Sequence, residues 1–599
     1  MKRNNAKPEY KWDFSHLYKN HAEWEKDVDA VVEIFKKIAD LKGNLHKEEI
    51  FIKYCLLNKE AEEKLEKIAV YTRMSDIDTT NLEYQKLFSI YTNKINDVLT
   101  SLSFTQSELK EVGKDKIMSF IKNNKEISHL EYPYRSFFKR TKHVLSEKAE
   151  LLISKLSRTL SANDSLYDTL AYADNKKVMI EIDGKEEELT ITLYKKIMEN
   201  SDPIKDQELR KKAASLFSKQ YTSHKHTFAE IYKNIIVSAL EDQKLRGYND
   251  IVNYFLESDE VSNDILESLI DAGQKNSDLF VKFNEIVKKH FKFKKFYSTD
   301  RSLKLTQNIK GFLGKKFEIE DAKKIIKEAL KPLGNEYLSY LDIAWQKNRI
   351  DYFEDTNKRS GAYSTGGGTV DPIILMNWDY TIQSVNTLAH EVGHSVHTMY
   401  ADKYNKGPLA NYPIILAEVA STVNEHLMFD YLIKKVETKE EKIYLIQNRI
   451  EDIMATFFRQ IHFAKFEYQA FKKIENKEHI DSDILGNLFK DIANDFGYSV
   501  FDDDKKKPTY GWPRISHFFH SPFYVYKYAT CIVASFKLYE DVQNNKPETL
   551  IEFLKQGGRK EPLEILKSIG IDYTDKKVYE PLLNELKTLI KDLEKLLGA

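Results

Sequence analysis

Cysteine is almost missing from this chain: Cys55 and Cys531 are the only two in 599 residues, and nearly the whole sequence separates them. A disulfide framework is therefore excluded as the main source of stability, and so sparing a use of thiols fits a reducing compartment. Any metal site must then be built from imidazole and carboxylate rather than thiolate. Glycine and proline are scarce as well, at 21 and 13 residues, which leaves long stretches free of helix breakers. Neither sign of charge is in surplus. The 92 basic and 93 acidic residues give a formal net charge of −1, so no global field draws the chain to nucleic acid or to an anionic membrane. No apolar run approaches the ~20 residues of a membrane span. The polar, basic residues 1–8 have no apolar segment behind them, unlike a secretory signal. The expected location is the cytoplasm.

What is present points to a large folded protein. Hydrophobic residues make up 42% and charged residues 31%, and the length exceeds what one core usually supports, so two or more lobes are expected. Apolar residues recur three or four apart, as in Leu582, Leu586, Leu589, Leu593 and Leu596, which predicts a helix docked on the core. Similar patterns run through residues 20–125 and 140–172, so the chain reads as mostly α. Two places read as extended. Residues 178–182, Asp183-Gly184 and a second run ending at Ile191 predict a hairpin with a tight primed turn. Residues 372–378, preceded by Gly366-Gly367-Gly368, predict a strand after a flexible turn, since no Gly-Lys-Ser/Thr of a phosphate loop follows. Asp202-Pro203 predicts a helix start, where the catalytic lobe is placed.

The chemistry concentrates around His390-Glu391-Val392-Gly393-His394. Two histidines four apart on a helix lie on one face, about one turn apart, and can converge on one ion. Val385, Leu388, Val392, Val396 and Met399 supply the helical stripe. Glu391 can reach a metal-bound water without being a ligand. A third ligand is needed, and Glu418 is the single acid in the apolar run 414–420, where a carboxylate should face a cation. The 28 residues from His390 leave room for a loop with Gly407-Pro408 and a return helix. His397 is excluded as a co-ligand because seven residues is ~10 Å along a helix; it and His426 read as packing residues. Glu425, two turns beyond Glu418, is expected to orient a ligand histidine. Water attack on a carbonyl also needs oxyanion donors from elsewhere. Residues 512–528 are dense in imidazole and phenol, and the alternation of Tyr524, Tyr526 and Tyr528 makes a strand conceivable there.

Three motifs in order resemble the M3 family of metallopeptidases, and within it the oligoendopeptidase F branch. They are Leu388-Ala389-His390-Glu391-Val392-Gly393-His394, Leu416-Ala417-Glu418-Val419-Ala420-Ser421-Thr422, and the segment from His517 to Tyr528. Residues 364–378 also look like that family's substrate-binding strand. The resemblance implies a mostly α fold, a two-lobed helical shell around a deep substrate channel with a small β element beside the active site. It implies an N-terminal helical region (1–115), an oligopeptidase F-type domain with a small hairpin (116–200) and an M3-type catalytic domain (201–599). By family pattern one Zn2+ per chain sits on His390, His394 and Glu418, and Glu391 is the base. His517 and a tyrosine, Tyr526, bind the oxyanion, with Tyr524 and Tyr528 as rivals because the spacing from His517 is shorter than in the thimet oligopeptidase branch. Gly367, Ile374 and Tyr524 are the expected substrate contacts, with the peptide extended beside residues 373–378.

The activity expected is endopeptidase cleavage of short unfolded oligopeptides, with no nucleic-acid or membrane partner, in a monomer or dimer. A zinc carboxypeptidase and a non-catalytic helical peptide-binding protein are the alternatives. The basic-aromatic run at 290–296 and the charged run at 502–507 read as solvated surface.

Overall fold

The scarcity of helix breakers is realised in a computed structural model that describes residues 2–174, 177–307 and 309–598. Helix dominates. Among the described residues strand is confined to β1 (Met179–Ile182), β2 (Lys185–Glu188), β3 (Ile350–Phe353), β4 (Tyr363–Gly367) and β5 (Val370–Trp378). No helix among them is long and apolar enough to cross a membrane. The chain forms two compact units, each drawn from three stretches. One comprises Met1–Leu156, Lys316–Tyr431 and Leu538–Gly570; the other comprises Ser157–Lys315, Leu432–Lys537 and Ile571–Ala599. The units therefore interleave in sequence.

In the first unit, helix α1 (His21–Ala39) is started by Asn20, whose side chain accepts from the Glu23 amide at 3.0 Å. Its buried face, Trp24, Val28, Val31, Phe35 and Ile38, packs with residues of α2 (Glu48–Thr72) against Val370, Ile373 and Leu375 of the sheet. The sheet order is β3-β5-β4, with β5 parallel to β3 and antiparallel to β4. Gly366, Gly367 and Gly368 carry φ of 117°, 119° and 64° at the hairpin between β4 and β5, angles that L side chains resist. The triplet is a turn before a strand, as expected.

The strand's place in the sheet is not as expected. Ile374 pairs with Ile350 on one side and Ser364 on the other, and it is fully buried. With both edges of β5 taken at Ile374 and Leu375, no peptide can pair beside them, and Ile374 is a core residue rather than a substrate contact. Strand β4 is an outer strand, as is β3 on the other side of β5. The approach to β4 is pinned by Asp351, fully buried on β3, which accepts from Lys358 Nζ at 2.7 Å and from Arg3 Nε at 2.9 Å. After β5, Thr381 caps α3 (Ile382–Tyr404), which packs on β4 and β5. A short turn, Gly407–Leu409, then leads into α4 (Ile414–Lys435).

In the second unit the predicted hairpin is present, with Asp183 and Gly184 at φ 51° and 78°, the signature of a type I′ turn. Its second strand ends at Glu188 rather than near Ile191, because Thr190 turns its hydroxyl to the Leu193 amide and starts a helix. Asp202 does not cap a helix. Its side chain closes a turn on the Ile204 and Lys205 amides, and the helix begins at Gln207. Helix α5 (Tyr526–Gln543) precedes the C-terminal α6 (Glu580–Leu597), which buries Leu582, Leu586, Leu589 and Leu593 of the predicted face, together with Leu583 and Ile590, while Leu596 in the last turn is only partly covered. The charged run after residue 501 is tied down as well. Asp502 and Asp503 accept from the Phe296 and Ser298 amides, at 2.9 Å each.

This unit also encloses an acid that sequence periodicity hides. Glu467 is 1% exposed, and neither carboxylate oxygen has a hydrogen-bond partner. Burial pushes its pKa up to about 8. The unfolded chain ionises this carboxyl near pH 4.3, so its contribution is intact below that pH and is lost as the pH rises toward 8. Glu467→Gln should therefore raise the melting temperature at pH 8 by several degrees and leave it nearly unchanged at pH 4.5, as differential scanning calorimetry at the two pH values would show.

Candidate active site

Helix α3 presents His390 and His394 one turn apart, with their Nε2 atoms 3.2 Å from each other. Glu418 comes from α4, and its Oε2 lies 3.3 Å from His390 Nε2 and 3.4 Å from His394 Nε2. Three donor atoms thus form a nearly equilateral triangle. Donors around a four-coordinate zinc, with bonds of about 2.0–2.1 Å, stand about 3.3 Å apart, so this set fits the ion in both chemistry and spacing. It is a group among the described residues able to hold a metal. The electrostatics agree. Burial opposes charge on Glu418, yet hydrogen bonding to His390 and His394 holds its carboxyl well below the ordinary range. Burial likewise opposes charge on His390, but Glu425 and Glu418 outweigh it and raise that imidazole.

Glu425 Oε1 lies 2.9 Å from His390 Nδ1. A carboxylate there accepts the Nδ1 proton and leaves the Nε2 lone pair facing the triangle. Glu391 stands outside the donor set. It is 6% exposed, and its Oε2 has no hydrogen-bond partner. Burial raises its pKa, His390 and His394 lower it, and the Ser364 amide of β4 also faces its carboxylate. His397 is stacked on Tyr412 with ring centroids 3.8 Å apart, and burial pushes its pKa down to about 3. His426 packs on Tyr539. Both are packing residues, as read from the sequence.

The 512–528 segment lies in the second unit and is not a strand. His517 begins the short helix His517–His520, and after Phe523, at φ 57°, the chain enters α5. Tyr524 stacks on His517 at 5.2 Å, and the Tyr528 hydroxyl is 3.4 Å from His517 Nε2. Tyr526 points elsewhere. Two helical residues apart means about 200° around the axis, and its hydroxyl donates to Asp259 Oδ2 at 2.8 Å with the ring 1% exposed. Of the three tyrosines, the one expected to join His517 is thus the one that does not, because alternation groups residues on a strand and separates them on a helix.

The sequence matches peptidase family M3 over residues 202–585. The chain belongs to peptidase family M3. The family described as Oligopeptidase F matches residues 108–176 of this M3 peptidase. It is 32% identical to the oligoendopeptidase F homolog of Borreliella burgdorferi, over 100% of each chain. It is 29% identical to oligopeptidase PepF of Bacillus subtilis, across 99% of this chain and 88% of that one. A solved structure from Chlamydophila abortus superposes with a TM-score of 0.87 at 28% identity, covering 100% of both chains. Oligoendopeptidase-F from Enterococcus faecium gives 0.75 at 22% identity, across 96% of this chain and 99% of that one, a likeness of fold. The resemblance and the mostly helical fold read from the sequence are both met: the chain is a peptidase, a hydrolase of a zinc-dependent family.

Three features of this M3 peptidase's site escaped the sequence reading. Gly393 lets the two helices touch, since a Cβ there would lie 2.7 Å from Ser421 Cα. Asn424 ties them together, donating to the Ala389 carbonyl at 2.9 Å and accepting from the Tyr337 hydroxyl at 2.7 Å. Ser364 and Ser395 join β4 to α3 through their hydroxyls at 2.9 Å.

Proposed function

We propose that this M3 peptidase is a zinc-dependent endopeptidase acting on short unfolded oligopeptides, with Glu391 as general base. The observation that carries the reading is the donor triangle of His390, His394 and Glu418 beside a buried carboxylate left out of it. Zinc held there would act as a Lewis acid on the scissile carbonyl and lower the pKa of a water. Glu425 keeps His390 in the tautomer whose Nε2 can bind the ion. Glu391 takes the water's proton at its unpartnered Oε2 and passes it to the leaving amine. The peptide pairs with the outer edge of β4 near Ser364, in the manner of an added strand, with Gly367 as a contact whose missing side chain keeps that end of β4 close to Thr398. His517 is the proposed oxyanion donor, with Tyr528 in place of Tyr526 and with Tyr524 stacked behind it. Two buried cysteines, neither in a disulfide, suit the cytoplasm expected from composition.

The test is digestion of a peptide blocked at both termini, with and without a chelator, and identification of the products by mass. Internal cleavage that chelation abolishes and added zinc restores is expected. A requirement for a free C-terminus would favour a carboxypeptidase, and binding without cleavage by zinc-loaded protein would overturn the enzyme reading. The tyrosine assignment has its own outcome. Loss of one oxyanion donor costs roughly 100-fold or more in kcat. Tyr528→Phe should show that loss with KM little changed, whereas Tyr526→Phe should lower the melting temperature and spare kcat.

A further inference from the structure

Two arginines flank the start of β4, in the same compact unit as the metal-ligand triangle. The guanidinium carbons of Arg73 and Arg359 each lie 5.6 Å from the centre of the Tyr363 ring. Asp76 accepts from the Tyr363 hydroxyl at 2.6 Å and stands 3.4 Å from Arg359 Nη1 and 3.8 Å from Arg73 Nη1. One carboxylate thus faces two guanidiniums, which leaves one positive charge over. Neither guanidinium makes another hydrogen bond or ion pair among the described residues, and the side chains are 42% and 55% exposed. A structural clamp on Tyr363 would need one cation over the ring. Two cations, each with most of its donors unspent beside a single acid, form a fork that suits a second carboxylate.

Their position gives that carboxylate a meaning. Tyr363 is the first residue of β4 and precedes Ser364, whose amide faces Glu391. A peptide pairing antiparallel with the outer edge runs from the Gly367 end toward Tyr363, so its C-terminal half lies on the arginine side at about 3.3 Å per residue. We infer that Arg73 and Arg359 form a subsite for a carboxylate on the C-terminal side of the scissile bond, supplied by the peptide's own terminus or by an acidic side chain near it. This rests on the reading that substrate pairs with β4. The subsite would let an endopeptidase favour small peptides by their free ends, a selection made by charge in addition to any made by the size of an opening.

The experiment compares one peptide sequence in four forms: free C-terminal acid, C-terminal amide, amide with a C-terminal Glu, and free acid N-methylated at the second residue after the scissile bond, which leaves the scissile amide itself unmodified. Each is assayed on zinc-loaded wild-type enzyme and on Arg73→Gln, Arg359→Gln and the double variant. Wild type should cleave the acid with kcat/KM about 10-fold or more above the amide, mainly through KM. That ratio should collapse toward one in the double variant, with the amide's rate unchanged. Recovery of the Glu-amide on wild type would extend the subsite to acidic side chains, and its failure would restrict it to the terminus. Equal rates for acid and amide on wild type, with N-methylation still harmful, would overturn the arginine subsite while leaving the β4 reading intact. If N-methylation is harmless too, the β4 reading falls and the subsite with it. The acid-to-amide ratio on wild type keeps the test decisive should a variant fail to fold.

Discussion

Glutamine at position 391 is expected to leave one zinc per chain and to lower kcat by about 1,000-fold, within the range ascribed to a positioned general base. The separation of the two readouts follows from the geometry. The metal-binding group consists of His390, His394 and Glu418, whose donor atoms lie 3.2–3.4 Å apart, and Glu391 contributes to none of those distances. Its carboxylate is nearly buried, and its Oε2 has no partner to lose. Glutamine has the same shape and can keep the contact with the Ser364 amide, but it cannot take up a proton. KM should change little, because the proposed pairing of substrate with β4 does not use this carboxylate. Zinc content is read by elemental analysis and kcat from saturation kinetics on a blocked peptide. A variant that holds full zinc and keeps more than a tenth of the wild-type rate would sink the base assignment. Glu418→Ala makes the contrasting control, because it removes a corner of the triangle and should lose zinc and turnover together.

The chemistry of the site was legible where a local rule decides it. His390 and His394 meet because four residues is about one helical turn, and Glu418 stands out because an acid inside an apolar run needs a cation. Glu425 was readable from the same periodicity carried two turns along α4. The hairpin at Asp183-Gly184 was legible because that turn needs two residues that tolerate positive φ. The reading went astray where distant partners decide. Residues 372–378 were rightly a strand, but its central place depends on β3, some twenty residues earlier, and on β4, so a free edge lies one strand over. Tyr526 was chosen over Tyr528 without knowing that α5 begins there, which sends the two hydroxyls to opposite sides. Asp259, which takes the Tyr526 hydroxyl, lies 267 residues away. The orphan carboxyl of Glu467 had no signature either, since an acid in a helix is ordinarily a solvated one.

Gly393→Ala supplies a second large effect, of a sign that local reasoning gets wrong. In a solvated helix the change would stabilise by about 1 kcal/mol, because glycine is a poor helix former. Here the added methyl would lie 2.7 Å from Ser421 Cα, 3.1 Å from Ser421 N and 2.9 Å from Asn424 Nδ2. Two of those three atoms are backbone, so no rotamer change removes the overlap, and α3 and α4 must separate. Overpacking of this kind costs roughly 1–3 kcal/mol. It also strains the Asn424 bond to the Ala389 carbonyl, which joins the helices beside His390. Ser421 is three residues past Glu418 on the same helix, and its hydroxyl lies 3.3 Å from Glu418 Oε2. A displacement at Ser421 is therefore carried to the third corner of the donor triangle. The expected result is a melting temperature several degrees lower in the metal-free protein, a zinc affinity weakened by about 10- to 100-fold, the size of effect seen when supporting contacts are lost, and a matching fall in activity at limiting zinc. Melting of the apo-protein isolates the packing cost, and competition with a chelator isolates the metal. An unchanged or raised melting temperature with wild-type zinc affinity would show that the helices do not need the glycine to meet.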